Sequence, residues 1–204
     1  MSIGYKVVNL ASMIEELGED YVQEHFLSVF SCPQNPDVEH FLHEKAIMFA
    51  KQGLAGTHLV FTSYQQKLVL CGYFTIAIKM FVVKREALTS GLRERLRKFA
   101  TYDEKLKQYH MSAPLLGQLG KNFANGYSQL ITGDELLKIA CDEIRSIQRV
   151  CGGKIVYLEC EDKECLKDFY QRNGFVEFGK RLLDRDEENI SGLYLIQMMK
   201  YFKG

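Results

Sequence analysis

The 204-residue sequence predicts an α/β or α+β layer fold built on a mixed sheet. Three observations carry that expectation. Apolar stretches with strand-like alternation recur along the chain, helices with marked starts and stops stand between them, and 113–160 reads strand–helix–strand. The last pattern calls for a right-handed parallel crossover.

The elements follow in order. "YKVVN" (5–9) reads as a short strand, and 11–30 carries apolar residues at helical intervals, broken near Gly18-Glu19-Asp20. Asn35 can cap the next helix, Pro36 suits its first position, and Asp37 and Glu39 favour the positive end of its dipole. Val38, Phe41, Leu42, Ala46 and Phe49 give this helix one apolar face, and Gly53 ends it. Residues 57–62 and 67–79 read as two strands joined by a polar turn. The segment 84–110 changes character, with eight Lys/Arg against four Asp/Glu, and reads as a surface helix with a tail or an inserted loop.

Residues 113–122 form a strand running into the polar loop "FANGYSQLITG". The helix behind it is the best marked in the chain. Thr132 and Glu135 make a capping box, Leu136, Ala140, Ile144, Ile147 and Val150 follow at helical steps, and Gly152-Gly153 stops it. "KIVYLEC" (154–160) is a buried strand and 163–173 a helix ending on Asn173-Gly174. Two strands, "GFVEFGKRLL" and "GLYLIQMMKYF", enclose the acidic stretch 184–191.

Composition excludes several classes. Lys+Arg and Asp+Glu are equal at 26 each, so no global field recruits nucleic acid or an anionic membrane. No apolar run approaches the roughly 18 residues of a membrane span, and the first residues do not resemble a secretory signal. Cys32, Cys71, Cys141, Cys151, Cys160 and Cys165 form no Cys-x-x-Cys pair, which points to reduced thiols and a cytoplasmic location. No metal is expected. His40 and His43 lack a third ligand, and Cys160 and Cys165 are spaced too widely for a zinc pair. Cys32 and Cys71 have no His–acid partner spaced to activate a nucleophile. The sequon at 189–191 has no meaning in a cytoplasmic chain.

The strand, loop and capped helix of 113–151, the strand "KIVYLEC" and the run "LKDFYQRNGF" together resemble the GNAT superfamily of acetyl-CoA-dependent N-acyltransferases. The likeness covers 113–200 well. It extends more loosely through "NPDVEHFLHEKA" and "LCGYFTIAIK", which look like the toxin-related bacterial branch. It implies one GNAT-like domain over 1–204 with a mostly antiparallel central sheet, 84–112 being an inserted or substrate-side segment. It also implies acetyl-CoA as acyl donor and a small-molecule or peptide amine as acceptor.

By the same resemblance Phe169 packs into the core and Tyr170 points its hydroxyl into the cleft beside the cofactor sulfur. A phenol titrates above a thiol, so Tyr170 can hydrogen-bond and protonate the leaving sulfur without being ionised itself. The loop Ser128, Gln129, Leu130, Ile131, Thr132, Gly133 and Asp134 stands where the family grips pyrophosphate, although Ser128, Gln129 and Ile131 depart from the usual Gln/Arg and glycines. Asp134 and Glu135 add carboxylates to the helix start, which repel an anion. The backbone of Leu119, Gly120 and Lys121 is expected along the acyl and pantetheine arm.

Lys163 replaces an asparagine frequent in the family. Glu159 is the only acid with a path to the cleft and is read as a solvated strand end. Arg93, Arg95, Arg97, Lys98, Lys105 and Lys107 are read as a solvated surface; the alternative is phosphate contact along 84–107, with a tRNA acceptor as in toxin relatives. Two rival functions stand beside the enzyme: a non-catalytic GNAT-like module, and a toxin-type acetyltransferase of aminoacyl-tRNA. The sequence leaves the oligomeric state, a homodimer included, open.

Overall fold

The computed structural model describes residues 4–183 and 192–203, so the acidic stretch 184–191 and its sequon lie outside the described residues. Strand β1 (Tyr5–Asn9) passes into α1 (Leu10–Leu17), where the Asn9 side chain accepts from Ala11 N at 2.9 Å. After Gly18 comes α2 (Glu19–Val22), which widens into a π-helical segment, Gln23–Leu27. The expected helix at Asn35 is present: Asn35 Oδ1 accepts from Val38 N, and α3 (Pro36–His40) continues as a second π segment, Phe41–Lys45, into α4 (Ala46–Lys51).

Strands β2 (Gly56–Tyr64) and β3 (Lys67–Lys84) form a hairpin. Its turn residues Gln65 and Gln66 both take positive φ, 48° and 62°, a turn whose twist matches that of the strands. Then follow α5 (Ser90–Leu96), β4 (Thr101–Asp103), β5 (Gln108–Lys121), α6 (Gly133–Cys151), β6 (Ile155–Glu161), α7 (Glu164–Arg172), β7 (Val176–Leu182) and β8 (Tyr194–Tyr201).

The strands form one eight-stranded sheet in the order β1-β2-β3-β5-β6-β8-β7, with β4 paired to β5. The β5–β6 pair is parallel, as the strand–helix–strand pattern requires, while β1–β2, β2–β3, β4–β5, β6–β8 and β7–β8 are antiparallel. The fold is therefore the GNAT-like mixed, mostly antiparallel sheet with flanking helices that the resemblance implied. No helix among the described residues is long and apolar enough to cross a membrane.

The chain divides into two compact units. The first comprises the residues up to Ala77 with Gly117–Ala140, the second Ile78–Leu116 with the residues from Cys141 on. In the first, Leu10, Val22, Leu27, Phe30, Leu42, Leu59 and Tyr73 are buried together. The Tyr73 hydroxyl donates to the Val38 carbonyl and so fixes α3 over the β2–β3 face. The π segments are joined by polar side chains: Gln23 Nε2 donates to His43 O at 3.1 Å, and His43 Nε2 meets Phe30 O at 2.9 Å. A hydrogen bond to a carbonyl fixes the protonated nitrogen of His43, so this histidine is occupied in structure.

Asn122, at the end of β5, is the polar centre of this unit and is 1% exposed. Its Oδ1 accepts from Ser31 N at 3.1 Å and Ala124 N at 3.0 Å, and its Nδ2 donates to Leu70 O at 2.9 Å. Its own amide donates to Cys71 O at 2.9 Å.

In the second unit, Phe81, Val83, Leu88, Leu96, Tyr109, Met111 and Tyr157 form the core. The segment 84–112 carries sheet as well as helix. β3 runs on to Lys84, Thr89 caps α5, and β4 pairs with β5 across the Lys107 turn. Helix α6 corrects one expectation, since Val150 is 91% exposed rather than on the apolar face. Gln148 takes the inward place and donates Nε2 to Ile155 O at 2.7 Å, because the chain must turn there through Gly152 and Gly153 into β6.

Replacing Asn122 with Leu keeps the volume but leaves Ser31 N, Ala124 N and Leu70 O without their partner. We expect a loss of about 2–4 kcal/mol, read as a clear fall in the midpoint of thermal or urea unfolding.

Candidate functional site

The site begins in the last residues of β5, which pairs in parallel with β6 at Leu115↔Tyr157 and Leu116↔Leu158 and runs on to Lys121. At Gly117 and Gln118 the strand meets a side chain of β3. The Gln118 amide donates to Thr75 Oγ1 at 2.8 Å, and a Cβ on Gly117 would lie 2.9 Å from that oxygen. Alternation then sets which groups face outward. Gln118 and Asn122 donate their amides toward β3, and the Gly120 carbonyl lies against Gly72, where a Cβ would come within 2.9 Å of it. The main-chain groups of Leu119 and Lys121 therefore face away from β3. Gly120 itself is a packing requirement, because a Cβ there would clash with Val38 Cγ1.

The expected phosphate loop follows. Its 3-10 turn, Ala124–Gln129, is kinked by positive φ at Asn125 and Gly126. Lys121 Nζ donates to Ser128 O at 2.9 Å, which ties the end of β5 to the loop. Tyr5 Oη donates to Leu130 O at 3.0 Å, Ile131 is buried, and Gln129 is exposed.

The capping box is fully formed. Thr132 N and Oγ1 each donate to Glu135 Oε2 at 2.8 Å, and Glu135 N donates to Thr132 Oγ1 at 3.1 Å. These donors hold the Glu135 carboxyl below its usual range, the Thr132 amide foremost. Burial, and then the Glu135 charge, push the Tyr5 phenol up to about 12.

A diphosphate thus finds Thr132 N already taken and a carboxylate beside it. In its favour are the half-buried Lys121 cation, the donors of the first turn from Gly133 on, and the outward main chain of Leu119 and Lys121.

Tyr170 lies in the second unit on α7. The helix ends at Asn173, whose Nδ2 donates to Phe169 O at 2.8 Å, and Gly174 turns with φ 83° into Phe175. The core position of this junction belongs to Phe175, 1% exposed. Phe169, expected in the core, is only half-buried, with the Arg172 guanidinium 5.1 Å from its ring centroid. Tyr170 stands edge-on between them, 4.9 Å from Phe169 and 5.8 Å from Phe175. Burial, with the Cys160 sulfur adding in the same direction, raises its phenol above the ordinary value, so it is neutral at physiological pH.

One further expectation changes in the second unit. Glu159 is not a solvated strand end. Its Oε2 accepts from Arg181 Nε at 2.8 Å and its Oε1 from Gln197 Nε2 at 2.8 Å, so both oxygens are engaged in holding β6, β8 and β7 together. Lys163 turns back to Glu161 at 2.7 Å.

Sequence reading misses the polar group around Gln118. Gln118 Nε2 donates to Asp37 Oδ2 at 3.0 Å, whereas the sequence shows Asp37 only as a complement to the helix dipole. Nothing local signals a contact between residues 81 positions apart.

No protein-family model and no curated protein matches the chain. Solved structures do. AtaT complexed with acetyl-methionyl-tRNAfMet superposes with TM-score 0.59 at 17% identity, over 95% of this chain and 94% of that one. A tyrosine-to-phenylalanine mutant of KacT gives 0.60 at 16%, over 94% and 93%. A tyrosine-to-phenylalanine mutant of the AtaT toxin, bound to the C-terminus of the antitoxin AtaR and acetyl-CoA, gives 0.56 at 14%, over 97% and 92%. At these identities the likeness is one of fold.

Two outcomes follow from the capping box. Thr132→Ala should cost about 1 kcal/mol of stability in denaturant unfolding. Glu135 has a folded-state pKa below its unfolded 4.5, so its contribution is complete above that value and is lost as pH falls through the folded one. Glu135→Gln should therefore flatten the acid limb of a stability-versus-pH curve below about pH 4.5 and leave its neutral limb unchanged in shape.

Proposed function

We propose that this chain is a cytoplasmic N-acetyltransferase that moves the acetyl group of acetyl-CoA to a primary amine by direct attack. The observation that carries the reading is the end of β5. Main-chain groups of Leu119 and Lys121 face away from β3, in a fold shared with an AtaT structure that holds acetyl-CoA. Acetyl-CoA supplies an activated thioester. The exposed main chain of β5 pairs with its amide-bearing arm and polarises its carbonyl. The start of α6 from Gly133 and Asp134, with Ser128 to Thr132 leading into it, receives the diphosphate. Tyr170, kept neutral, donates a hydrogen bond and then a proton to the departing sulfur.

Among amine acceptors, the α-amino group of an aminoacyl-tRNA is supported by the tRNA-bound neighbour and by the cations of 84–107. A second reading, a non-catalytic module of the same fold, draws on the completed capping box. A helix start that satisfies itself with Glu135 needs no anion.

Acetyl-CoA at about 100 times its Kd should stabilise the protein by about 2.7 kcal/mol and raise its Tm by several degrees. No rise at millimolar acetyl-CoA supports the module instead. In an acetyl-transfer screen over polyamines, amino acids, peptides and aminoacyl-tRNA, Tyr170→Phe should lower kcat at least about 100-fold while the acetyl-CoA-induced Tm rise persists. Unchanged turnover in that variant would remove Tyr170 from the mechanism.

A further inference from the structure

The acceptor amine must lose a proton, and Glu159 cannot take it, since both its oxygens are engaged by Arg181 and Gln197. The first unit supplies another carboxylate. Asp37, in the first turn of α3, is half-buried, and its Oδ2 accepts from Gln118 Nε2 at 3.0 Å. Its Oδ1 has no hydrogen bond among the described residues. Gln118 is itself fixed, because its main-chain amide donates to Thr75 Oγ1 at 2.8 Å. The carboxylate is thus held at Gln118, one residue before the outward main chain of Leu119.

A second, independent feature marks the same place as unfinished. Thr57 lies directly across the β2–β3 ladder from Thr75, on the same face. Thr57 is 1% exposed, and its Oγ1 meets no partner among the described residues. This is the face beneath α3, where Tyr73 bonds Val38, the residue next to Asp37. Buried hydroxyls in folded proteins nearly always find a partner, so an open one across from Thr75, whose hydroxyl holds Gln118 and through it Asp37, marks a polar seat that the chain alone does not complete.

We propose that Asp37, positioned by Gln118, seats the cationic primary amine of the acceptor and takes its proton. The proposal rests on the acetyltransferase reading and deepens it. The balance is simple. An acceptor ammonium and a thioester give an amide, a thiol and one proton. The ammonium passes one proton to Asp37 Oδ1 and from there to solvent. The freed nitrogen lone pair forms the N–C bond, the C–S bond breaks with its pair on sulfur, and the second nitrogen proton is balanced by the one the sulfur gains. An Asp–Gln pair suits this chemistry, because the amide fixes one oxygen and leaves the other for a cation.

The experiment compares wild type, Asp37→Asn and Gln118→Leu with two nucleophiles, glycinamide as a protonated α-amine and hydroxylamine as one largely unprotonated at neutral pH. Asp37→Asn should lower kcat/KM for glycinamide on the order of 100-fold, and hydroxylamine should rescue transfer to within a few-fold of wild type. Gln118→Leu, which frees the carboxylate without removing it, should lose about tenfold with glycinamide. The acetyl-CoA-induced Tm rise should persist in both variants. The proposal is overturned if Asp37→Asn acetylates glycinamide as wild type does, or if it loses both nucleophiles equally while still binding acetyl-CoA. A wild-type protein that acetylates hydroxylamine but never glycinamide also counts against it. Absence of any acetyl-CoA-induced Tm rise in the wild type sinks the acetyltransferase reading itself, a separate failure.

Discussion

The side-chain amide of Asn122 joins three separate stretches of chain, and the candidate site of the first unit takes its position from that junction. One buried oxygen accepts from the turn before α3 and from the loop after β5, while the nitrogen reaches β3. Each partner is main chain, so the amide fixes backbone rather than side chains. A buried polar group with its bonds made specifies one arrangement, because any other leaves several groups unsatisfied in low dielectric. The turn at Ser31, the end of β5 and the entry to the loop that follows it are thereby set relative to one another.

Much of the fold is legible in the sequence because it rests on local signals. The Asn35 cap, the Thr132–Glu135 box and the Gly152-Gly153 stop all act within a turn or two, and each stands where its residues place it. The near-continuous apolar runs of β6 and β8 are equally local. What cannot be read depends on contacts across the chain. Val150 belongs to the apolar period of α6, yet the helix has passed the sheet by then, and a glutamine is drawn in by a strand carbonyl instead. The stretch 84–110 hides two strand segments because its charges mask a short pairing that only β5 completes.

The site shows the same division. Tyr170 and the 128–134 loop are proposed from pattern, whereas the Gln118–Asp37 bond and the Glu159–Arg181 pair span 81 and 22 positions and leave no periodic trace. The loop also shows how a local rule can oppose a global one. A capping box stabilises α6 by placing a carboxylate at its positive end, where an anionic ligand would otherwise be drawn. Lys121, bonded to the Ser128 carbonyl, holds a cation on the loop that leads into that helix.

The bond from Gln148 to the first carbonyl of β6 has a consequence for sequence change. It clamps the reversal between α6 and β6 at both ends, across a span of 7 positions that contains both left-handed glycines. Adding or deleting one residue between Gln148 and Ile155 would either break that clamp or shift β6 by one place. A shift by one place would turn Val156 and Leu158 to the face now held by Tyr157. The surface loops of this chain can vary in length, but this connector is measured to the residue.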